Sequence, residues 1–189
     1  MRSGVGGAGM SRLEHVSAAD LDGRLTSKYA AEVLASDRLS DLYATLGNSP
    51  EMLSAWLDFA WDLRFVPTSP RALRELLILL VGARRSAPYC IAAHRRMAVA
   101  ESVPQAKIDA VVRWRDADCF DATERACLAL ADAMLVGAVE DSTLQDVIDL
   151  LGEAQAVEIV LTVAFYMMVA AVTTTFDLQP TQEPSSPSG

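Results

Sequence analysis

The amino-acid sequence predicts a single all-α domain, and three features indicate this fold class. Apolar residues recur with helical spacing through most of the chain, and no long segment alternates apolar and polar residues as a strand does. Several prolines follow polar residues, as they do at the first position of a helix. The length of 189 residues and the hydrophobic content of 51% suit one compact domain.

The two ends of the chain differ in composition from its middle. Residues 1–24 mix glycine, serine and charged residues without sustained periodicity, and residues 179–189 are dominated by proline and serine. Such segments bury too little apolar surface to fold by themselves. We therefore expect a flexible leader over 1–24, a helical domain over 25–178 and a disordered tail over 179–189.

Prolines place the first helices of the domain. Pro50 and Pro70 each follow a serine, and a helix is expected to begin at each of them. The helix that begins at Pro70 is interrupted over residues 82–87, and Pro88 then begins the next one.

Two possible capping boxes place the later helices. Asp121 with Glu124, and Ser142 with Gln145, have the three-residue separation of such a box. A helix is expected to begin at each pair, and Gly152 is expected to end the second one.

The last helix is expected from residue 153 to about residue 176. It is apolar nearly all round, which predicts that it is buried, as the central helix of the domain or at a subunit contact. Its apolar run, Ile159–Val172, is shorter than the roughly 20 residues that span a bilayer, and it directly follows Glu158. A core helix is therefore favoured over a membrane span. The glycine-rich N-terminus also lacks the apolar segment of a secretory signal.

Charge and cysteine content exclude several classes of function. The net charge of -9 repels a phosphate backbone, so nucleic acid is not an expected partner. The three cysteines, Cys90, Cys119 and Cys127, are too few and too scattered for a disulfide framework, and no C-x-x-C zinc pair is present. No phosphate-binding glycine motif occurs either. We expect a cytoplasmic protein without a metal or an organic cofactor.

The candidate site consists of Cys90, His94 and Glu75. Cys90 lies in the first turn of the helix that begins at Pro88, where free backbone N–H groups favour the nucleophilic thiolate. His94 follows four residues later on the same helix face, so its imidazole can exchange a proton with the sulfur. Glu75 lies among leucines in the preceding helix, where an acid is costly to bury without a partner. The imidazole or the thiol would supply that partner.

The spacing of these residues resembles the core motif of the carboxymuconolactone decarboxylase and alkylhydroperoxidase D-like (AhpD-like) superfamily. That motif is a glutamate, eleven residues, C-x-x-C, three residues and a histidine. Glu75, Cys90 and His94 match it, whereas Ala87 stands in place of the first cysteine. Tyr89 lies just before the second cysteine, where an aromatic residue or histidine is common in such proteins.

The resemblance extends over roughly residues 40–176. It includes an acidic start before the apolar helix 121–134 and the residues Tyr166 and Met168 of the last helix. It implies a helical domain of about six to eight helices that assembles as a trimer or hexamer. We expect Tyr89, Tyr166 and Met168 to contribute to a small-molecule substrate pocket.

The resemblance also implies thiol redox chemistry, in which Cys90 reduces a hydroperoxide. Without a cysteine at position 87, the oxidised Cys90 needs another thiol to resolve it. An external thiol, Cys119 or Cys127 could do so, and we favour the external thiol.

Two other functions stay open at this stage. One is a decarboxylase that acts on a small carboxylated lactone or keto acid, with Glu75 and His94 moving protons. The other is a non-catalytic helical oligomeric module.

Each candidate residue also has a purely structural interpretation. A buried cysteine usually packs as a small apolar residue, and this default applies to Cys90 and most clearly to Cys127. A lone histidine such as His94 is more often a hydrogen-bonded structural residue than a catalyst. The possible ion-pair partners of Glu75 are Arg71, Arg74 and Arg84.

Overall fold

The computed structural model describes residues 11–35 and 39–180, and within these ranges it contains helices and loops but no strand. The all-α class is therefore confirmed. Residues 1–10 of the predicted leader and residues 181–189 of the predicted tail lie outside the described residues. The elements in chain order are α1 (Ala18–Leu21), α2 (Ala30–Leu34), α3 (Asp41–Leu46), α4 (Pro50–Phe65), α5 (Arg71–Arg84), α6 (Pro88–Ala100), α7 (Gln105–Ala110), a 3₁₀-helix (Val111–Asp116), α8 (Ala122–Val136) and α9 (Asp141–Thr175).

Helix α5 is the central element of the domain. It packs against α6, α8 and α9, and every residue from 73 to 82 is buried. A helix enclosed on all sides must bury any charged residue that it carries. Arg74 and Glu75 are therefore inside the protein, and this is what creates the candidate site.

The predicted helix starts at Pro50 and Pro88 are confirmed, because these residues are the first of α4 and α6. The start at Pro70 is displaced by one residue. Pro70 has the extended conformation of an N-cap, with φ -55° and ψ 127°, and α5 begins at Arg71.

One of the two predicted capping boxes is present. Asp121 and Glu124 form a reciprocal capping box at the start of α8. A helix also begins at the second pair as predicted, but Ser142 does not cap it, because α9 starts at Asp141 after the extended residue Glu140. Ser142 therefore lies inside the first turn, where its side chain cannot act as the N-cap.

Gly152 interrupts α9, as the sequence predicts. Its φ of 80° and ψ of 161° lie in a region that essentially only glycine adopts. The chain continues as a helix directly on both sides. The predicted short helix and the predicted long final helix thus meet at one residue without a loop between them.

One face of the final helix is not covered by the rest of the described chain, so the predicted burial does not hold for that face within a single copy. An exposed apolar stripe runs along α9 at alternating spacings of three and four residues. Its members are Ala154, Val157, Leu161, Ala164, Met168 and Ala171. Within the described ranges, α9 is the one helix long and apolar enough to cross a membrane by length and composition, and 44% of its most apolar window is buried in the fold. A core helix of a soluble protein passes the same test.

Part of the predicted leader is packed against the domain. The backbone N–H of Arg12 donates to the carbonyl of Phe176 at 3.0 Å, and Leu21 in α1 is fully buried. The domain therefore begins before residue 25. With only four residues, α1 is too short to produce a helical periodicity in the sequence, and its one buried residue, Leu21, leaves no pattern.

Candidate active site

A buried acid and a buried imidazole are bonded at the centre of the domain. Oε2 of Glu75 on α5 lies 2.7 Å from Nδ1 of His94 on α6. Glu75 is completely buried, and only 7% of His94 is exposed. An ionised carboxylate can only accept hydrogen bonds, so Nδ1 donates and Nε2 is left as the acceptor. The bond therefore orients the imidazole and selects the tautomer that a general base needs.

The other oxygen of Glu75 is paired with Arg71. Nη2 of Arg71, one helical turn earlier on α5, lies 2.5 Å from Oε1 of Glu75, as an ion pair without the alignment of a hydrogen bond. Glu75 thus has both kinds of partner that the sequence allows, an arginine and the imidazole. The other two candidate arginines bind elsewhere, Arg74 to the carbonyl of Leu63 and Arg84 to Asp132.

Cys90 is the third residue of α6, in the first turn as predicted, but its sulfur is enclosed. It is 2% exposed and packs in an apolar cluster with Ile78, Ala87, Ala170 and Tyr166. Among the described residues, none forms a hydrogen bond with the sulfur. The cluster places the thiol at the junction of α5, α6 and α9.

The acidity of Cys90 differs from the sequence-based prediction. Burial, and next the negative charge of Glu75, raise the pKa of the Cys90 thiol to about 12. The start of a helix favours a thiolate, but here burial outweighs that effect. Cys90 is therefore a neutral thiol near pH 7, and a reaction through its thiolate would need a base.

Tyr166 on α9 completes the site. Its ring meets the His94 ring edge to face, with centroids 4.7 Å apart, and it also packs against the Cys90 cluster. Burial raises the pKa of Tyr166 above its usual value, so the hydroxyl keeps its proton. This hydroxyl has no hydrogen-bond partner in the part of the chain that the structure describes.

The structure does not bring the other two predicted pocket residues to this point. Tyr89 lies in a neighbouring apolar cluster, where its hydroxyl accepts the N–H of Leu42 at 3.4 Å. Met168 is 44% exposed on the outer stripe of α9. Tyr166 is thus the one residue of the predicted pocket set that contacts His94.

The remaining cysteines belong to a different part of the core. Cys127 is fully buried in the large cluster around α5 and α8, as its structural interpretation predicts. Cys119 is half-buried and packs against the same large cluster. Neither is a member of the Cys90 cluster. That cluster contains Ala87, whose side chain is completely buried.

A small cavity lies beside Tyr166 and is not predicted by the sequence. Its free volume of about 10 Å³ is enough for roughly one water molecule. Arg64, Arg71 and Arg74 line it together with Ile78 and Tyr166. The three arginines come from two helices, so no spacing in the sequence announces the cavity. In the described ranges, no group of three potential ligands could hold a metal ion.

Comparison with known proteins bears on this arrangement. Residues 50–133, which include Glu75, Cys90 and His94, match the model of the carboxymuconolactone decarboxylase family. Among curated proteins, none matches the sequence of this chain.

Several solved structures share the fold. One is an alkylhydroperoxidase AhpD core, an uncharacterized peroxidase-related protein from Ralstonia eutropha JMP134. It has a TM-score of 0.76 and 18% identity, over 93% of this chain and 95% of that chain. Another is a peroxidase-related protein from Silicibacter sp. TM1040, with a TM-score of 0.71 and 20% identity over 92% and 96% of the two chains.

A third is the debrominase Bmp8 in complex with 2,3,4-tribromopyrrole, with a TM-score of 0.74 and 18% identity over 90% and 91% of the two chains. Identities this low show a common fold and nothing more. Residues 50–133 of this chain are thus similar to the carboxymuconolactone decarboxylase family, and the chain as a whole has the AhpD-like fold.

Proposed function

We propose that this protein is a thiol-dependent hydroperoxide reductase. In this proposal Cys90 is the nucleophile, Glu75 and His94 form the proton relay, and an external thiol restores the enzyme. The observation that carries it is the buried bond between Glu75 and His94, one helical turn from Cys90. The His94 ring also contacts Tyr166, which packs against the cluster around the sulfur, so the relay and the thiol share a neighbour.

The first half-reaction follows from the protonated state of Cys90. Nε2 of His94 takes the thiol proton while the sulfur attacks the terminal oxygen of the hydroperoxide. The S–O bond forms, the O–O bond breaks, and the sulfur is oxidised by two electrons to a sulfenic acid. The proton held by His94 passes to the departing alkoxide, which leaves as an alcohol. Glu75 stabilises the imidazolium that exists between these proton transfers.

The second half-reaction uses two molecules of an external thiol. The first condenses with the sulfenic acid, so that a disulfide forms and water leaves. The second attacks this disulfide and releases the Cys90 thiol. Ala87 beside the sulfur, and the separate core cluster that holds Cys119 and Cys127, support an external rather than an internal resolving thiol.

Trapping the sulfenic acid tests the proposal directly. We expect that hydroperoxide together with a sulfenate-trapping reagent labels Cys90 on the intact protein, and that mass spectrometry locates the label there. Cys127, whose pKa burial also raises to about 12, is the internal control for a buried thiol without the relay. An unlabelled Cys90 in a protein that still consumes hydroperoxide would remove it from the mechanism. Slow alkylation alone decides nothing, because burial slows alkylation in either case.

A decarboxylase is the second candidate, and the high pKa of Cys90 is the observation that favours it. If the sulfur never ionises, Glu75 and His94 still form a base that can move protons on a carboxylated substrate. The fold accommodates more than one chemistry, since a debrominase shares it. The two candidates differ in their need for Cys90.

We also propose that the protein forms a homo-oligomer through the exposed stripe of α9. The stripe combines small and large apolar residues with the spacing of a coiled-coil seam, so two copies could pack together along it. A cytoplasmic location remains our expectation. The three cysteines are free thiols, which fits a reducing compartment.

A charge in the middle of the stripe should prevent this assembly. We expect Leu161→Glu to reduce the molar mass in light scattering to that of one chain, because Leu161 is 41% exposed at the centre of the stripe. Val99→Glu, at an exposed apolar position on α6, should leave the assembly intact. An unchanged molar mass of the Leu161 variant would show that the copies associate elsewhere or not at all.

A further inference from the structure

The cavity beside Tyr166 is lined by more hydrogen-bond donors than acceptors. Arg64, Arg71 and Arg74 all border it, whereas neither Glu75 nor Glu158 is among its lining residues. The carboxylate of Glu75 already has two partners, an ion pair with Arg71 and a hydrogen bond from His94. The local charge is therefore positive although the chain as a whole carries a net charge of -9.

Arg74 is the least satisfied of these cations. It is only 3% exposed, and its two terminal nitrogens donate to the carbonyls of Leu63 and Arg64 at the end of α4, at 2.5 and 3.4 Å. These bonds cap the helix. Capping does not account for Nε of Arg74, which is buried without a partner. A structural role alone thus leaves one donor of this side chain unexplained.

The acids around Arg74 have other partners. The carboxylate of Glu158 accepts the backbone N–H groups of Thr68 and Ser69, at 3.0 and 2.7 Å. Burial, and next the positive charge of Arg71, lower the pKa of Arg74. That direction is expected for a cation that is short of anionic partners.

A second donor without a partner borders the same space, the hydroxyl of Tyr166. Tyr166 and Ile78 also form part of the wall around Cys90. The cavity and the Cys90 cluster therefore share two side chains, so a group held in the cavity would lie one side chain away from that cluster.

We propose that this cavity is a subsite for the carboxylate of the substrate, so that the protein selects anionic hydroperoxides over neutral ones. One carboxylate oxygen occupies the water-sized cavity, where it accepts hydrogen bonds from Nε of Arg74 and from the hydroxyl of Tyr166. The exposed Arg64 side chain lies at the outer side of the subsite. The inference concerns the substrate class of the Cys90 site and rests on the proposed function.

Calorimetric titration of the full chain tests the subsite without any turnover. Benzoate is the anionic probe and benzyl alcohol the neutral one, at constant ionic strength. We expect benzoate to bind and benzyl alcohol not to. Tyr166→Phe should weaken benzoate binding by about tenfold or more, since it removes a hydrogen bond to a charged group. This variant keeps the ring contacts and loses only a hydroxyl without a partner.

Two further variants separate the subsite from general charge effects. Arg64→Gln should weaken benzoate binding, whereas Arg96→Gln, which removes the same charge from the exposed surface of α6, should not. Equal binding of both probes, competition by chloride as strong as that by acetate, or wild-type affinity in Tyr166→Phe would each overturn the subsite.

Turnover of a carboxylated hydroperoxide and of its methyl ester completes the comparison. We expect a higher kcat/KM for the acid than for the ester. Equal turnover of both would overturn the selectivity and leave the reductase proposal intact. Selective benzoate binding with no turnover of either would overturn the reductase proposal and leave the anion subsite intact.

Discussion

Replacing Cys90 by serine is expected to abolish hydroperoxide reduction, with turnover falling by about 10³-fold or more. A serine hydroxyl ionises far less readily than a thiol, and it cannot form the sulfenic acid that the reaction requires. Turnover is measured as thiol-dependent loss of hydroperoxide by the purified protein. Because Cys90 is buried and serine is similar in size, the near-ultraviolet circular dichroism spectrum should confirm that the variant keeps the fold.

Cys119→Ser is the matched control for this substitution. Cys119 is half-buried, far along the chain from the relay and outside the Cys90 cluster, so its replacement should preserve hydroperoxide turnover. If Cys90→Ser instead keeps full activity on a carboxylated substrate, the thiol is not needed. The decarboxylase interpretation, in which Glu75 and His94 act alone, would then replace the reductase.

The second large effect is expected on stability. Glu75→Ala should lower the free energy of unfolding by about 3–5 kcal/mol, because it leaves the buried His94 and the partly buried Arg71 without their shared partner. Urea denaturation followed by circular dichroism measures the change. Glu75→Gln should cost less, since its amide oxygen can still accept the Nδ1 proton of His94.

An exposed ion pair provides the comparison. Asp109 and Arg95 are paired at the surface, where solvent screens the interaction, so Asp109→Ala should have a much smaller effect than Glu75→Ala. A comparable decrease in the free energy of unfolding in the two variants would contradict the central position that the structure gives to Glu75.

The parts of the site that depend on local spacing could be predicted from the sequence. A proline at the first position of a helix fixes Cys90 in the first turn, and a four-residue separation fixes His94 on the same face. The pairing of Glu75 with an imidazole follows from the cost of burying an acid in an apolar helix. These inferences need only neighbouring residues or one adjacent helix.

The environment of the sulfur could not be predicted in this way. Whether the start of α6 faces water or the interior depends on α9, and Ala170 and Tyr166 of α9 cover the sulfur. The sign of the change in the pKa of Cys90 depends on that covering. The cavity lined by arginines likewise requires the end of α4 to meet the start of α5, which no single stretch of sequence encodes.

Whether α9 is a central helix or leaves a face for a subunit contact could not be decided from the sequence, for a related reason. A helix that is apolar all round is buried in a monomer only if neighbours surround it completely, and composition does not show how many neighbours there are. Met168 was expected in a pocket on the basis of its type and position, yet it lies on this outer face. The same pattern fits a core helix and a helix with one face available to a second copy.

The enclosure of Cys90 has a consequence for the timing of the proposed cycle. A resolving thiol is too large to enter a site in which the sulfur is only 2% exposed, so it would react only with molecules that have opened locally. The frequency of these openings would then set an upper limit on turnover, however reactive the thiol is. Between openings the sulfur is sheltered from oxidants, which protects it from irreversible conversion to sulfinic or sulfonic acid.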